Sequence, residues 1–477
     1  MNRIGIVCAG ISGLVAAWTL KRARPDASIA VLEASDRVGG VIRTQTDPYL
    51  IECGADNFGT LIPDALHLVR EMGLESEFIG PQKNFRIAQV VHRGRLVPIP
   101  NGFSLMQPTR LASILATPIL SVGGKLRVLA ERWVPRRYDT SDESVADFAI
   151  RRLGLECYQR LVEPIVGGIF TARAETLSMQ AAMPQFVAME REYGSLIRAA
   201  RIQRRERSAQ TRSAQGASGA RYDQFIAPRR GMSWWMGELA HPIREDLHLK
   251  TRVASIRRAE DGEWIVQSIA TDTGDSRVWI FDQLCMATPS YVAAELLAGT
   301  DPTLADELAR VPYASSAIAV LAVKKEEIRP DAFCFGAIVP AIEHRDCLAI
   351  SLTSEKYDGR CPSDLVLARV FLGGAVRSEL VEESDASLLV RAKRELETLF
   401  GPSSPPVFET LVRWPRSMPQ YLVGHPTRVG TIMERVASLQ GLELIGNAYD
   451  GVGIPQCVRG ARNAAQRMEK RFRMIEQ

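Results

Sequence analysis

Cys8-Ala9-Gly10-Ile11-Ser12-Gly13, together with Glu33, carries the chemical pattern of a site for a dinucleotide. Such a site needs a tight turn where backbone can approach a pyrophosphate. It also needs a helix that starts at the turn and aims its free N–H groups at the anion. Gly10 stands where backbone meets phosphate, and Gly13 where the helix packs on the preceding strand. Glu33 follows Gly13 by about 20 residues, the distance at which a carboxylate accepts hydrogen bonds from both ribose hydroxyls of an adenosine. One position departs from G-x-G-x-x-G: its first glycine is Cys8. The plainer alternative is a buried strand–helix turn with incidental glycines.

These residues need three elements in order, and the sequence supplies them. Arg3-Ile4-Gly5-Ile6-Val7 is β-branched and reads as a buried strand, Leu14 to Leu20 as a helix, and Ile29-Ala30-Val31-Leu32 as a second strand ending at Glu33. Asp36 to Thr44 contains Gly39-Gly40, a second loop able to bring backbone onto a cofactor. At the far end, Leu442 to Val458 again reads as strand, Gly-rich loop and helix. A helix N-terminus near Ile454 would stabilise negative charge on a reduced flavin. Two such turns at opposite ends of a chain imply an extended ligand. FAD fits better than NAD, because its isoalloxazine must be held far from its adenosine.

Composition bounds the rest. A chain of 477 residues exceeds one ordinary core, so two or three domains are expected. A hydrophobic content of 46%, a charged content of 24% and a net charge of only +4 are globular values that disfavour a general nucleic-acid binder. Eight cysteines without C-x-x-C spacing and no secretory start point to reduced thiols in the cytoplasm. Ile4 to Leu20 is apolar enough to mimic a signal segment, but its glycines sit at nucleotide-motif positions, and no other stretch reads as a membrane span. The six histidines are scattered, with no triad and no metal-ligand cluster.

Between the two ends, Asn84 to Pro100 reads as a hairpin ending at a Pro-stiffened turn. Thr109 to Arg137 reads as a helix pair with a solvated basic face, or alternatively as a stretch lying on an anionic membrane. Glu163 to Phe170 ends a helical region. Arg198 to Arg230 holds nine arginines against Glu206 and Asp223 and reads as a solvated loop. Strands follow at Leu249 to Ile256, Trp264 to Val266, Val278 to Ile280 and Phe281 to Pro289. A second sheet spans Pro312 to Val323, Phe335 to Pro340, Cys347 to Leu352 and Leu365 to Leu372. Trp414 to Tyr421 reads as a Pro-bounded segment.

In their order, Gly10 to Gly40, Leu96 to Pro100, Ser121 to Arg127, Pro164 to Met179, Pro419 to His425 and Leu444 to Cys457 resemble the FAD-dependent porphyrinogen oxidases of the amine-oxidase superfamily. Where that family often has Tyr-Ala-Gly-Asp, this chain has Phe170-Thr171-Ala172-Arg173. The resemblance implies an α/β fold: a Rossmann-like FAD-binding domain (1–80, 231–299, 429–477), a mixed-sheet substrate domain (81–100, 179–230, 300–428) and a helical insert (101–178) facing a membrane. It implies FAD contacts at Cys8, Gly10, Ile11, Ser12, Gly13, Glu33, Ala34, Arg37, Gly39, Gly40, Val253, Gly446, Asn447, Gly451, Val452, Ile454 and Pro455. For the tetrapyrrole it implies Arg86 against a carboxylate, and the carbonyls of Gly167 and Gly168 against pyrrole N–H groups. Their alternatives are a surface arginine and helix termination by glycine.

No side chain is assigned as catalytic, because the flavin N5 takes hydride, with oxygen as acceptor and hydrogen peroxide as product. A cytoplasmic protein is expected, and a peripheral contact with the inner face of the membrane and a homodimer are both left open. Two further readings remain: a related amine oxidase or polyene desaturase, with Tyr449 and Trp414 as aromatic candidates, and a non-catalytic homologue whose FAD binding Cys8 impairs.

Overall fold

The computed structural model describes residues 3–82, 88–211 and 225–475. The chain divides into two compact units, one of Met1–Ile79, Gln224–Pro312 and Pro426–Gln477, the other of Gly80–Asp223 and Tyr313–His425.

The first unit is built on a five-stranded parallel sheet. Its strands lie in the order Leu247–His248, Ser28–Leu32, Arg3–Val7, Gln283–Met286 and Leu442–Leu444. Ile4 to Val7 is buried at every position, as a parallel strand covered on both faces must be. Gly5 interrupts its apolar run because the Phe281 ring lies there: a Cβ on Gly5 would be 2.5 Å from the ring. Helices Ile11–Ala23 and Ile454–Ile475 share one core beside the sheet, which includes Leu14, Trp18, Trp235, Val458 and Phe472. An antiparallel sheet of Thr251–Arg258, Trp264–Ala270 and Ser276–Phe281 completes the unit.

The second unit carries a seven-stranded mixed sheet. The order is Phe408–Pro419, Tyr313–Lys324, Leu365–Gly373, Cys347–Leu352, Gly336–Ile338, Ala88–His92 and Arg95–Pro98. Only Ala88–His92 with Gly336–Ile338 is parallel. Helix Asp385–Phe400 lays Leu388, Ala392, Leu396 and Leu399 on one face. Residues 111–211 are mostly helical.

Two sequence expectations change. Trp414 to Pro419 is no isolated segment but the end of the strand Phe408–Pro419. That strand is at the sheet edge, and its pairing shifts register between Ala314 and Ser316, where Pro415 is accommodated. The arginine-rich stretch is not a loop at its start: Leu196–Thr211 is a helix, and Phe225–Pro228 is a strand pairing with Phe58–Gly59 and Phe78–Ile79. Residues 212–224 lie outside the described residues.

The helix forms because a distant carboxylate caps it. Glu131 accepts the backbone N–H groups of Leu196 (2.8 Å) and Ile197 (3.2 Å) and the Ser195 hydroxyl (2.6 Å). It also pairs with Arg152; both side chains are 0% exposed. Arg152 donates further to the carbonyls of Val134 (3.0 Å) and Gly194 (2.8 Å). Removing Glu131 leaves the buried Arg152 guanidinium with only the more distant Glu190 carboxylate, at 3.3 Å. Glu131→Ala is therefore expected to lower stability by about 3–5 kcal/mol, whereas the joint change Glu131→Leu with Arg152→Met costs less. Denaturant unfolding followed in the second unit measures both, and a loss below about 1 kcal/mol for Glu131→Ala would refute the network.

Candidate active site

The opening turn sits at the C-terminal ends of the parallel strands. The Cys8 N–H donates to the Leu32 carbonyl at 2.8 Å, and Cys8 itself has φ +87°. The residue that replaces the first motif glycine thus occupies the backbone region that glycine favours, at a strain of about 1–2 kcal/mol. Burial, and after it the Glu33 charge, push the Cys8 thiol up to about 12, so it is neutral and inert at physiological pH. Gly13 has no alternative: a Cβ there would lie 2.0 Å from the Cys8 carbonyl oxygen. Ile11 and Ser12 form the first turn of the helix between them. Gly10 caps this helix without any side-chain hydrogen bond, and its first turn holds no acid. A Cβ on Gly10 would meet only Cys8 Sγ within 4 Å, at 3.8 Å. Open space before an uncapped helix N-terminus is what a pyrophosphate requires.

Glu33 is buried, 7% exposed. Its Oε2 accepts the Ala9 N–H at 2.6 Å, and its Oε1 accepts the Ser35 N–H (2.9 Å) and hydroxyl (2.7 Å). It makes no ion pair among the described residues, so its remaining lone pairs suit hydroxyl donors. Ala34 is exposed beside it. The strand Thr251–Arg258 flanks this point, since Thr251 N–H donates to the Glu33 carbonyl at 2.7 Å. Val253 is half-buried on that strand, at a register shift.

The second glycine loop closes on the first. Gly39 N–H donates to the Ala9 carbonyl at 2.8 Å. Gly39 and Gly40 have φ of +102° and +58°, backbone that side chains rarely adopt. Arg37 lies within its own loop, donating to the carbonyls of Val38 (3.2 Å), Gly40 (2.6 Å) and Ile42 (3.2 Å).

The closing turn follows the strand Leu442–Leu444. Gly446 and Gly451 have φ of +130° and +133°, with Asn447 and Val452 in the same loop. Ile454 and Pro455 are buried in the first turn of the helix Ile454–Ile475, which again carries no acid there. Sequence reasoning missed Thr288. Its hydroxyl is buried and has no hydrogen-bond partner among the described residues, and its carbonyl lies 4.0 Å from where a Gly446 Cβ would be. The Ala287-Thr288-Pro289 step after a buried strand was the available signal. A buried carboxylate without a cation, an orphaned hydroxyl and two helix N-termini without acids fit an FAD-sized ligand: acceptors for ribose, amides for phosphate.

In the second unit, Gly167 and Gly168 lie inside helix Glu163–Phe170, which ends at Thr171 (φ +47°) rather than at the glycines. The Gly167 carbonyl already accepts the Thr171 N–H at 2.8 Å. Arg86 lies outside the described residues. Tyr449 is buried in the first unit, and Trp414 pairs with Ser316 in the edge strand of the second. Thr109 to Arg137 forms the helices Leu111–Ala116 and Val122–Leu129 and a short turn, Ala130–Trp133. Val122 (74%), Leu126 (60%) and Trp133 (66%) are exposed there, and Arg132 stacks over Trp133 at 3.8 Å. Among the described residues no helix is long and apolar enough to cross a membrane, and no group of side chains could hold a metal ion.

The chain matches the model of the flavin-containing amine oxidoreductases over residues 11–469. It is 30% identical to a coproporphyrinogen III oxidase of Propionibacterium freudenreichii subsp. freudenreichii, over 96% of this chain and 89% of that protein. It is 29% identical to protoporphyrinogen oxidase 1, chloroplastic, of Arabidopsis thaliana, over 96% of this chain and 86% of that protein. The solved structure of an Exiguobacterium sp. 255-15 protein described as a protoporphyrinogen oxidase superposes with a TM-score of 0.84 at 27% identity, covering 98% of this chain and 99% of that one. The turns, the buried acid and these matches agree: the chain belongs to the flavin-containing amine oxidoreductase family, as an FAD-dependent oxidoreductase.

Proposed function

We propose that this protein oxidises a porphyrinogen, coproporphyrinogen III or protoporphyrinogen IX, to the porphyrin in tetrapyrrole synthesis. The observation that carries the reading is that end-to-end relatives are named for these two reactions. When bound, FAD supplies the hydride acceptor at its N5. The protein's task is to hold cofactor and substrate so that a bridge carbon of the tetrapyrrole meets that atom. Glu33 takes the ribose hydroxyls, the Gly10 turn and its helix take the pyrophosphate, and the Gly446-to-Pro455 loop takes the flavin end. Arg86 pairs with a substrate carboxylate. Hydride leaves the substrate in successive rounds, oxygen is the final acceptor and hydrogen peroxide the product. Anaerobic addition of either porphyrinogen is expected to bleach the flavin band. Bleaching by an amine and by neither porphyrinogen would overturn the reading.

Cys8 sets the strength of FAD binding in this reading. Where the cofactor holds the turn at φ +87°, relief of about 1–2 kcal/mol of strain tightens FAD by about 5- to 30-fold. Cys8→Gly is expected to show that gain in titration of the apoprotein. Equal affinity would mean that the folded chain carries the strain with or without the cofactor.

The exposed Val122, Leu126 and Trp133, with Lys125 and Arg132 between them, suit an anionic lipid surface. The protein is expected to sediment with anionic vesicles and to be released by salt. Equal recovery in the supernatant with and without vesicles would leave these residues without that role.

A further inference from the structure

The second unit contains a groove whose charged lining is all of one sign. It lies between residues 108–113 and the helix Leu196–Thr211, wholly within that unit, and has a volume of about 670 Å³. That is within the range of small-ligand sites, about 300–1,000 Å³. Pro108, Leu111 and Ile197 give it apolar surface, and Arg110, Arg201 and Arg204 supply three guanidinium groups. Ile197, Arg201 and Arg204 stand at i, i+4 and i+7, which is one face of a helix. Among the described residues no aspartate or glutamate lines the groove.

Both walls are held by the fold. The helix is the one that Glu131 caps, so its start is fixed. On the opposite wall the Thr109 N–H and the Thr109 hydroxyl each donate to the Gly102 carbonyl at 2.7 Å. Gly102 has φ +80°, and a Cβ there would lie 2.6 Å from Thr109 Oγ1 and 2.9 Å from Arg110 Cγ. The Arg110 stem thus lies against bare backbone. Arg110 and Arg201 are exposed and make no side-chain hydrogen bond or ion pair among the described residues. Three like charges in one concave surface repel, and an anion placed among them relieves that repulsion. Guanidinium groups match phosphate oxygens two N–H donors at a time.

The neighbouring elements say which anion. Helix Leu111–Ala116 gives Leu111 to the groove, carries Leu115 at 50% exposure, and packs against helix Val122–Leu129. Helix Leu196–Thr211 packs against the turn Ala130–Trp133. The walls of the groove therefore adjoin the elements that carry the exposed Val122, Leu126 and Trp133. Phosphate beside apolar surface is the chemistry of a lipid rather than of a free phosphate ester. We propose that this groove holds the phosphate of an anionic lipid headgroup, with Arg110, Arg201 and Arg204 as its donors. The proposal rests on the lipid-surface reading above and gives that reading a specific site.

The test is co-sedimentation of the FAD-loaded protein, at fixed ionic strength, with phosphatidylcholine vesicles containing phosphatidylglycerol. Two double variants remove equal charge. Arg110→Gln with Arg201→Gln takes two guanidinium groups from the groove. Arg198→Gln with Arg205→Gln takes two exposed arginines of the same helix that do not line it. The groove pair is expected to weaken vesicle binding at least about 10-fold more than the control pair. Equal losses overturn the proposal and leave the lipid reading standing, because total charge alone then matters. Should the groove pair fail to fold, Arg201→Gln against Arg198→Gln makes the same comparison. Failure of wild type to sediment overturns the lipid reading, and the proposal with it, a result seen without any variant. Calorimetric titration of wild type with glycerol phosphate separates the two sources of phosphate. It is expected to bind far more weakly than the vesicles; equal affinity assigns the groove to a free phosphate ester and overturns the lipid.

Discussion

The first unit depends on one close approach. The opening helix comes so near its preceding turn that a Cβ on Gly13 would lie 2.0 Å from the Cys8 carbonyl oxygen. That contact fixes where the helix begins and so where its free N–H groups point. The rest of the cradle is placed from there. The same turn gives Ala9 N–H to Glu33 and the Ala9 carbonyl to Gly39, so the carboxylate and the second glycine loop are both referred to one residue. The closing helix shares a core with the opening helix, which ties the C-terminal turn to the same frame.

The departure at Cys8 follows from this geometry. The turn is held at positive φ, and cysteine adopts it at a strain of about 1–2 kcal/mol. Its thiol is small, and the space before Gly10 stays open on the side away from Sγ. A larger or β-branched side chain at this position would meet both the strain and the open space before Gly10.

What was legible in the sequence was local. The strand, turn, helix, strand and acid between Arg3 and Glu33 declare themselves because turn chemistry and burial act over a few residues. The edge strand Phe408–Pro419 was not legible, because its prolines speak against a strand until its place at the sheet edge is known. The helix Leu196–Thr211 was not legible, because its cap is Glu131, some 65 residues earlier in the chain. Thr288 was hidden for a related reason. Its sequence neighbourhood is ordinary, and only the packed chain shows a buried hydroxyl with no partner among the described residues.

Three carboxylates, Glu131 and Glu33 buried and Glu163 half-buried, show how environment divides one chemistry. Glu131 receives two backbone N–H groups, a hydroxyl and the Arg152 guanidinium, so all of its acceptor capacity is spent inside the protein, and its role is structural. Glu33 receives two N–H groups and a hydroxyl but no cation among the described residues, which leaves acceptor capacity unused inside the protein. Glu163 receives one N–H group and has a second carboxylate nearby, so its charge is the least supported of the three. Burial penalises the ionised form, and each donor or cation offsets part of that penalty. As the donors diminish, the side chain passes from one wholly engaged within the fold, at Glu131, to one with spare acceptor capacity, at Glu33, to one with a single donor, at Glu163, which burial pushes up to about 7.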